Sequence, residues 1–200
     1  DYRNPIDRDK EDDRMNIGIL DLFDKVTVME DFAKSLEAAS LSRCDLYLEE
    51  NRADLELVCP AFLNRMELLQ YRDAILQIYH MHSLTIHLKY PKLTPDTGYF
   101  QGLVSAFLHD NGACRICLGS AVLAFDGGCL TVSGIRGGKE LLVQRRFADY
   151  ICETVREELD LSITTALEFE AMDMERYLEQ REKQQQELAA QAVGRLGEGG

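Results

Sequence analysis

The segment from residue 43 to 90 alternates in a way that fixes its elements. Leu46 and Leu48, then Leu55 and Leu57, are apolar at every second position, the pattern of a half-buried strand. Glu50, Asn51 and Arg52 lie between the two runs and supply the polar punctuation of a hairpin. Leu68, Tyr71, Ile75 and Ile78 then recur at helical spacing, and Leu84, Ile86 and Leu88 return to period two. The same order comes again about 77 residues later. AVLAFDGGCLTVSGI, residues 121–135, forms a hairpin around Asp126-Gly127-Gly128. Val143, Phe147, Ile151 and Val155 mark one long helix, and Leu161, Ile163, Leu167 and Phe169 a last strand. A helical segment precedes each hairpin: one between Ile17 and Ala39, in one or two pieces, and one opened by Pro95-Asp96-Thr97 and closed near Asp110-Asn111-Gly112. A short helical piece around residues 113–118 follows the latter. The expected fold is α+β: two small α-β-β-α-β domains followed by a projecting C-terminal helix.

The boundaries follow from composition. Residues 1–16 have much charge and little to bury, which predicts a disordered head. Residues 17–91 make the first domain. KYPKLTPDTG, with Pro91 and Pro95, separates it from the second, residues 96–170. Residues 171–200 are rich in helix formers, but 179–187 contain no apolar residue. A helix polar all round does not fill a core, so it reads as a connector anchored by Met174, Tyr177 and Leu178.

Charge narrows the function. The chain has 35 acidic and 22 basic residues, and the head and tail each account for a net charge of only −2. The body is therefore acidic, a poor surface for long stretches of nucleic acid and a better one for protein partners. No signal peptide or membrane-spanning apolar run is visible, and a cytoplasmic location is expected. Six cysteines lie at 44, 59, 114, 117, 129 and 152; most, Cys44 and Cys152 included, occupy expected apolar faces as reduced thiols.

Candidate chemistry is sparse. Cys114-Arg115-Ile116-Cys117 is a CxxC without a second ligand pair, and His80, His82 and His87 are loosely spaced, so neither a metal nor another cofactor is expected. No nucleophile elbow, P-loop or dinucleotide fingerprint occurs, and no catalytic residue is assigned. Gly134-Ile135-Arg136-Gly137 satisfies the G-x-x-G pattern of a KH loop, but joins a strand to a helix rather than two helices. Arg136, Lys139, Arg145 and Arg146 form a local basic patch and are the candidate nucleic-acid contacts. The outer face of the first hairpin and the helix at 63–80, with Tyr71 and Tyr79, are the candidate partner surface.

Several segments carry a resemblance: ILDLFDKV, RCDLYLEENRADLELVCPAFL, the helix ending in QIYH, the strand LTIHLKY, the stretch from YFQGLVSAFLHD to ITTALEFE, and MERYLEQREKQQQELAAQAV. In serial order they resemble the N-terminal region of the PolC-type DNA polymerase III alpha subunit, over residues 17–196. The resemblance implies a first domain like the polymerase-binding domain of the clamp-loader tau subunit, a KH-like second domain and a connector to an OB-fold domain. It implies a non-catalytic module within a replicative DNA polymerase with 3′–5′ exonuclease activity, whose partners are replisome proteins. A single-stranded nucleic-acid-binding module is the alternative.

Overall fold

The computed structural model describes residues 17–170. The expected disordered head and connector helix lie outside them. Two short helices come first, α1 (Ile19–Leu22) and α2 (Glu30–Glu37). They are followed by β1 (Ser40–Tyr47), β2 (Arg52–Val58), α3 (Arg65–Ile78) and β3 (Ser83–Lys89). The second half runs α4 (Thr97–Asp110), a 3-10 turn at Gly112–Cys114, α5 (Arg115–Leu118), β4 (Val122–Asp126) and β5 (Cys129–Ile135). It closes with α6 (Lys139–Gln144), α7 (Phe147–Leu159) and β6 (Thr164–Phe169). The chain is α+β, with two three-stranded mixed sheets.

The sheets share one topology. In each, a hairpin supplies two antiparallel strands, and the third strand lies parallel to the hairpin's second strand. A parallel neighbour requires a crossover; α3 provides it in the first half, and α6 with α7 in the second. Period-two patterning sets which side faces the helices. Ala53, Leu55 and Leu57 on β2 and Leu130 and Val132 on β5 are fully buried, as central strands should be. The Gly127–Gly128 turn has both residues at positive φ, the geometry that two-residue hairpins favour.

Helix ends follow local chemistry. The Asn64 side chain accepts from the backbone N–H groups of Met66 and Glu67, so α3 starts there, several residues after Pro60. Asp96 caps α4 by accepting from Tyr99 N–H at 2.8 Å. The Asn111 side chain donates to the orphan carbonyl of Phe107 at its other end.

Four expectations need correction. The long helix beginning near Val143 is two, α6 and α7, broken at Arg145-Arg146, where Arg146 adopts φ 52°. Val143 faces solvent, because it lies on α6, which precedes the break and buries Leu142 instead. Leu161 precedes β6 and is exposed, since the strand starts at Thr164. Leu46 and Leu48 are 55% and 86% exposed, and Cys44 is exposed too, because the helix layer lies over β2 and β3 and leaves β1 uncovered beyond Leu41.

Candidate functional site

Three places bring polar or accessible chemistry together. The first is the joint between the two halves. Glu158 projects from the apolar stripe of α7 that also carries Ile151 and Val155, and it is 7% exposed. Its carboxylate pairs with the Arg65 guanidinium at the start of α3 and accepts from the Tyr99 hydroxyl at 2.9 Å. The Arg65 guanidinium lies 5.5 Å from the centre of the Tyr99 ring. The last carbonyls of α7 are met from the first half: Tyr90 N–H donates to Glu158 O at 2.7 Å, and Lys89 Nζ to Glu157 O at 2.6 Å. Phe62 packs between Tyr90 and Tyr99, at 4.9 and 4.7 Å between ring centres.

The electrostatics of the joint follow from burial. Burial pushes Tyr99 above its ordinary range, and the Glu158 charge adds to the shift. Tyr90 is raised mainly by burial. Burial disfavours the Arg65 charge, but the facing Glu158 carboxylate outweighs it and holds the guanidinium protonated. Each charged group here has a partner, so the cluster's chemistry is that of a fastener.

The second place is the basic patch. Arg136 Nε pairs with Glu170 at 3.0 Å. Lys139 Nζ lies 5.9 Å from the centre of the Phe169 ring. Arg146 pairs with Asp149 at 3.0 Å and Glu153 at 3.2 Å. Arg145 is exposed at the end of α6. The expected four-residue patch is therefore interleaved with carboxylates. The G-x-x-G pattern lies at the end of β5: Gly134 and Gly137 have positive φ, and a register irregularity falls between Val132 and Ile135. The turn that joins two helices is Arg145-Arg146 instead.

The third place is the first hairpin with α3. Tyr71 is 2% exposed, its ring meets Phe32 edge to face, and its hydroxyl reaches Ile19 O at 3.4 Å. It belongs to the core, which corrects its assignment to a partner surface. Tyr79 is half-buried; it donates to Asp24 at 3.0 Å, accepts from Lys25 N–H at 3.2 Å and meets Phe23 edge to face. Both tyrosines fasten the N-terminal helices onto α3. The accessible apolar groups are instead Ile78 at the end of α3 and Leu46, Tyr47 and Leu48 at the hairpin end. The hairpin turn is stitched to the turn before β3: the Asn51 side chain donates to His80 O, and His82 N–H donates to Asn51 O at 2.8 Å.

Cys114 and Cys117 are buried thiols, and the Cys117 sulfur fills the space beside Gly138. Among the described residues, no group of three or more His, Cys, Asp or Glu side chains is placed to hold a metal ion. Nor is any helix among them long and apolar enough to cross a membrane.

The sequence reading missed the joint. Its signal was present: Glu158 is a charged residue at a core position, in phase with Ile151 and Val155. What the sequence did not provide was the partner, since Arg65 lies 93 residues away. No protein-family model matches the chain, and no curated protein matches it either.

Proposed function

We propose that this chain is a non-catalytic interaction module of a replicative DNA polymerase of the PolC type, tethering it to other replisome proteins. One observation carries the reading: two units stand in series, each a helical segment, a hairpin, a helical crossover and a third strand, with the same strand order and the same mixture of parallel and antiparallel pairing. That is the arrangement implied by a tau-binding-domain-like unit followed by a KH-like one. Two of the segments that carry the resemblance supply core residues and a helix end. ILDLFDKV contributes Ile19, Phe23 and Val26 to the core, and QIYH ends α3. On this reading the polymerase and exonuclease activities belong to other parts of such a protein. The clamp-loader tau subunit is the first partner to test.

A specific observation keeps the second reading, a single-stranded nucleic-acid-binding module. The break between α6 and α7 gives the second unit the order helix, hairpin, two helices, strand, which is nearer to a KH-like arrangement than one long helix would be. Arg145 and Arg146 occupy the connecting turn. Against it stand the carboxylates at Asp149, Glu153 and Glu170, which neutralise Arg146 and Arg136. Phosphate binding by Arg136 or Arg146 would have to displace these pairs.

One experiment separates the readings. The chain is mixed with purified replisome proteins, tau first, and separately with labelled single-stranded DNA at roughly 50 and 200 mM salt. The interaction reading expects a complex with a replisome protein and no steeply salt-dependent DNA binding. DNA binding that falls steeply with salt and is lost in Arg145→Glu, with no protein complex, overturns it.

A further inference from the structure

We propose that the free edge of β1, from Arg43 to Tyr47, docks an extended segment of a partner protein in which apolar residues alternate with lysine or arginine. The inference deepens the interaction-module reading and rests on it. It starts from strand order. Among the described residues β1 has β2 as its one sheet neighbour, so one row of its backbone N–H and C=O groups is open to pairing. The strand is eight residues long and contains no proline or lysine, two of the devices that blunt an edge. An irregularity between Leu41 and Arg43 disturbs only its beginning.

The two sides of β1 specify what would lie beside it. Cys44 and Leu46 stand opposite Leu55 and Ala53 of β2. Those β2 residues are fully buried, whereas Leu46 is 55% exposed and Cys44 is exposed. The core reaches Leu41 at the start of the strand but not Leu46, and Leu48, in the turn that follows the strand, is 86% exposed. A fourth strand would continue the inner face and cover these groups with every second side chain. Its alternate side chains would point to the other face, where Asp45 stands opposite Asp54. From Arg43 to Glu56 the hairpin carries five acidic and two basic residues. Arg43 pairs with Asp45, and Arg52 with Glu50, so both cations are already engaged. The surplus negative charge selects a cationic partner.

The same charges argue against other occupants. Two copies pairing edge to edge would bring acidic hairpins together, and like charges opposite one another are destabilising. Residues 1–16 and 171–200 each have a net charge of −2 and offer no complement. Nucleic acid would meet repulsion.

The test uses the whole chain, labelled with nitrogen-15, at roughly 150 mM salt to screen diffuse attraction. The probe is a capped octapeptide of alternating lysine and valine, compared with its aspartate–valine counterpart. The expected result is shift changes and slowed amide exchange confined to residues 43–47 with the lysine peptide, and none with the aspartate peptide. Leu46→Asp and Asp45→Lys should each weaken binding at least about tenfold. Both positions are accessible enough to leave the fold intact, which the unchanged spectrum elsewhere verifies; Leu48→Asp is a second apolar variant. Shifts spread over the acidic surface, shifts at β4 or β6, or binding unaltered by these variants would overturn the proposal. So would a dimer abolished by Leu46→Asp, which would identify a second copy as the occupant. If the chain captures a replisome protein that Leu46→Asp leaves bound, the edge proposal fails and the module reading stands. If the peptide binds as expected but no replisome protein does, the module reading fails instead.

Discussion

Gly138 is the residue with least freedom to change. Its φ is +68°, and a β-carbon there would sit 2.1 Å from the Cys117 sulfur. Gly138→Ala should destabilise the chain by at least about 2 kcal/mol, combining backbone strain with overpacking. Gly127 also has positive φ, +56°, but open space around it. Gly127→Ala should cost only about 1 kcal/mol. Urea midpoints measure both, and equal losses would show that the Cys117 contact is unimportant. Buried phenols make a second prediction at this scale. Burial pushes Tyr71 and Tyr150 up to about 12 and raises Tyr90 and Tyr99 as well. An unfolded chain releases these protons near pH 10. Their contribution to stability is therefore complete below about pH 10 and is lost as pH rises towards about 12. In an absorbance titration these four should ionise together with the loss of helical circular dichroism. Ionisation of every tyrosine near pH 10 with the helix signal intact would contradict the burial argument.

At the scale of elements, the break between α6 and α7 is instructive. Arg146 holds φ 52° without being glycine, which costs about 1 kcal/mol. Its ion pairs to Asp149 and Glu153 are exposed, and such pairs contribute at most about 1 kcal/mol. Arg146→Gly is therefore expected to leave the thermal midpoint unchanged or slightly raised while removing a cation from the turn. A fall of several degrees would mean that the Arg146 pairs fasten the two helices. The free β1 edge belongs to this scale too. The helix layer lies over β2 and β3, and one helix does not span three strands, so the far half of β1 is left with apolar groups in water.

At the scale of the molecule, the buried pair of Arg65 and Glu158 decides how the halves behave together. Each half alone has a small core. The joint packs the half-buried Phe62 against the buried Tyr90 and Tyr99 and ties α7 to the end of β3. The whole chain is expected to unfold in one transition. Glu158→Ala would leave the Arg65 charge and the Tyr99 hydroxyl buried without an acceptor, a loss of about 3–5 kcal/mol. Unfolding should then separate into two steps, followed by fluorescence and circular dichroism. Replacing both members, with Arg65→Met and Glu158→Leu, should recover most of the loss, because no unpaired charge remains. If Glu158→Ala left one unshifted transition, the joint would carry little of the coupling.

Element type and order were legible in the sequence because they depend on local periodicity. Leu55 and Leu57 at period two, Leu68, Tyr71 and Ile75 at helical spacing, Asp126-Gly127-Gly128 in a hairpin and Asp96 before α4 each report a short-range cause. Tertiary structure decided what periodicity does not encode. Val143 and Phe147 continue one stripe four residues apart, and no glycine or proline warned that the helix would break between them. Leu46 alternates as faithfully as Leu55, yet one is exposed and the other buried, because coverage depends on where α3 comes to lie. Tyr71 and Tyr79 share the residue type of a binding surface, but the placement of the N-terminal helices made them core fasteners. The basic residues were visible as a run along the chain, whereas the carboxylates that pair with Arg136 and Arg146, up to 34 residues away, were brought in by folding. Patterning fixes which face of an element is apolar; only the packed chain fixes what covers that face, and which charges meet.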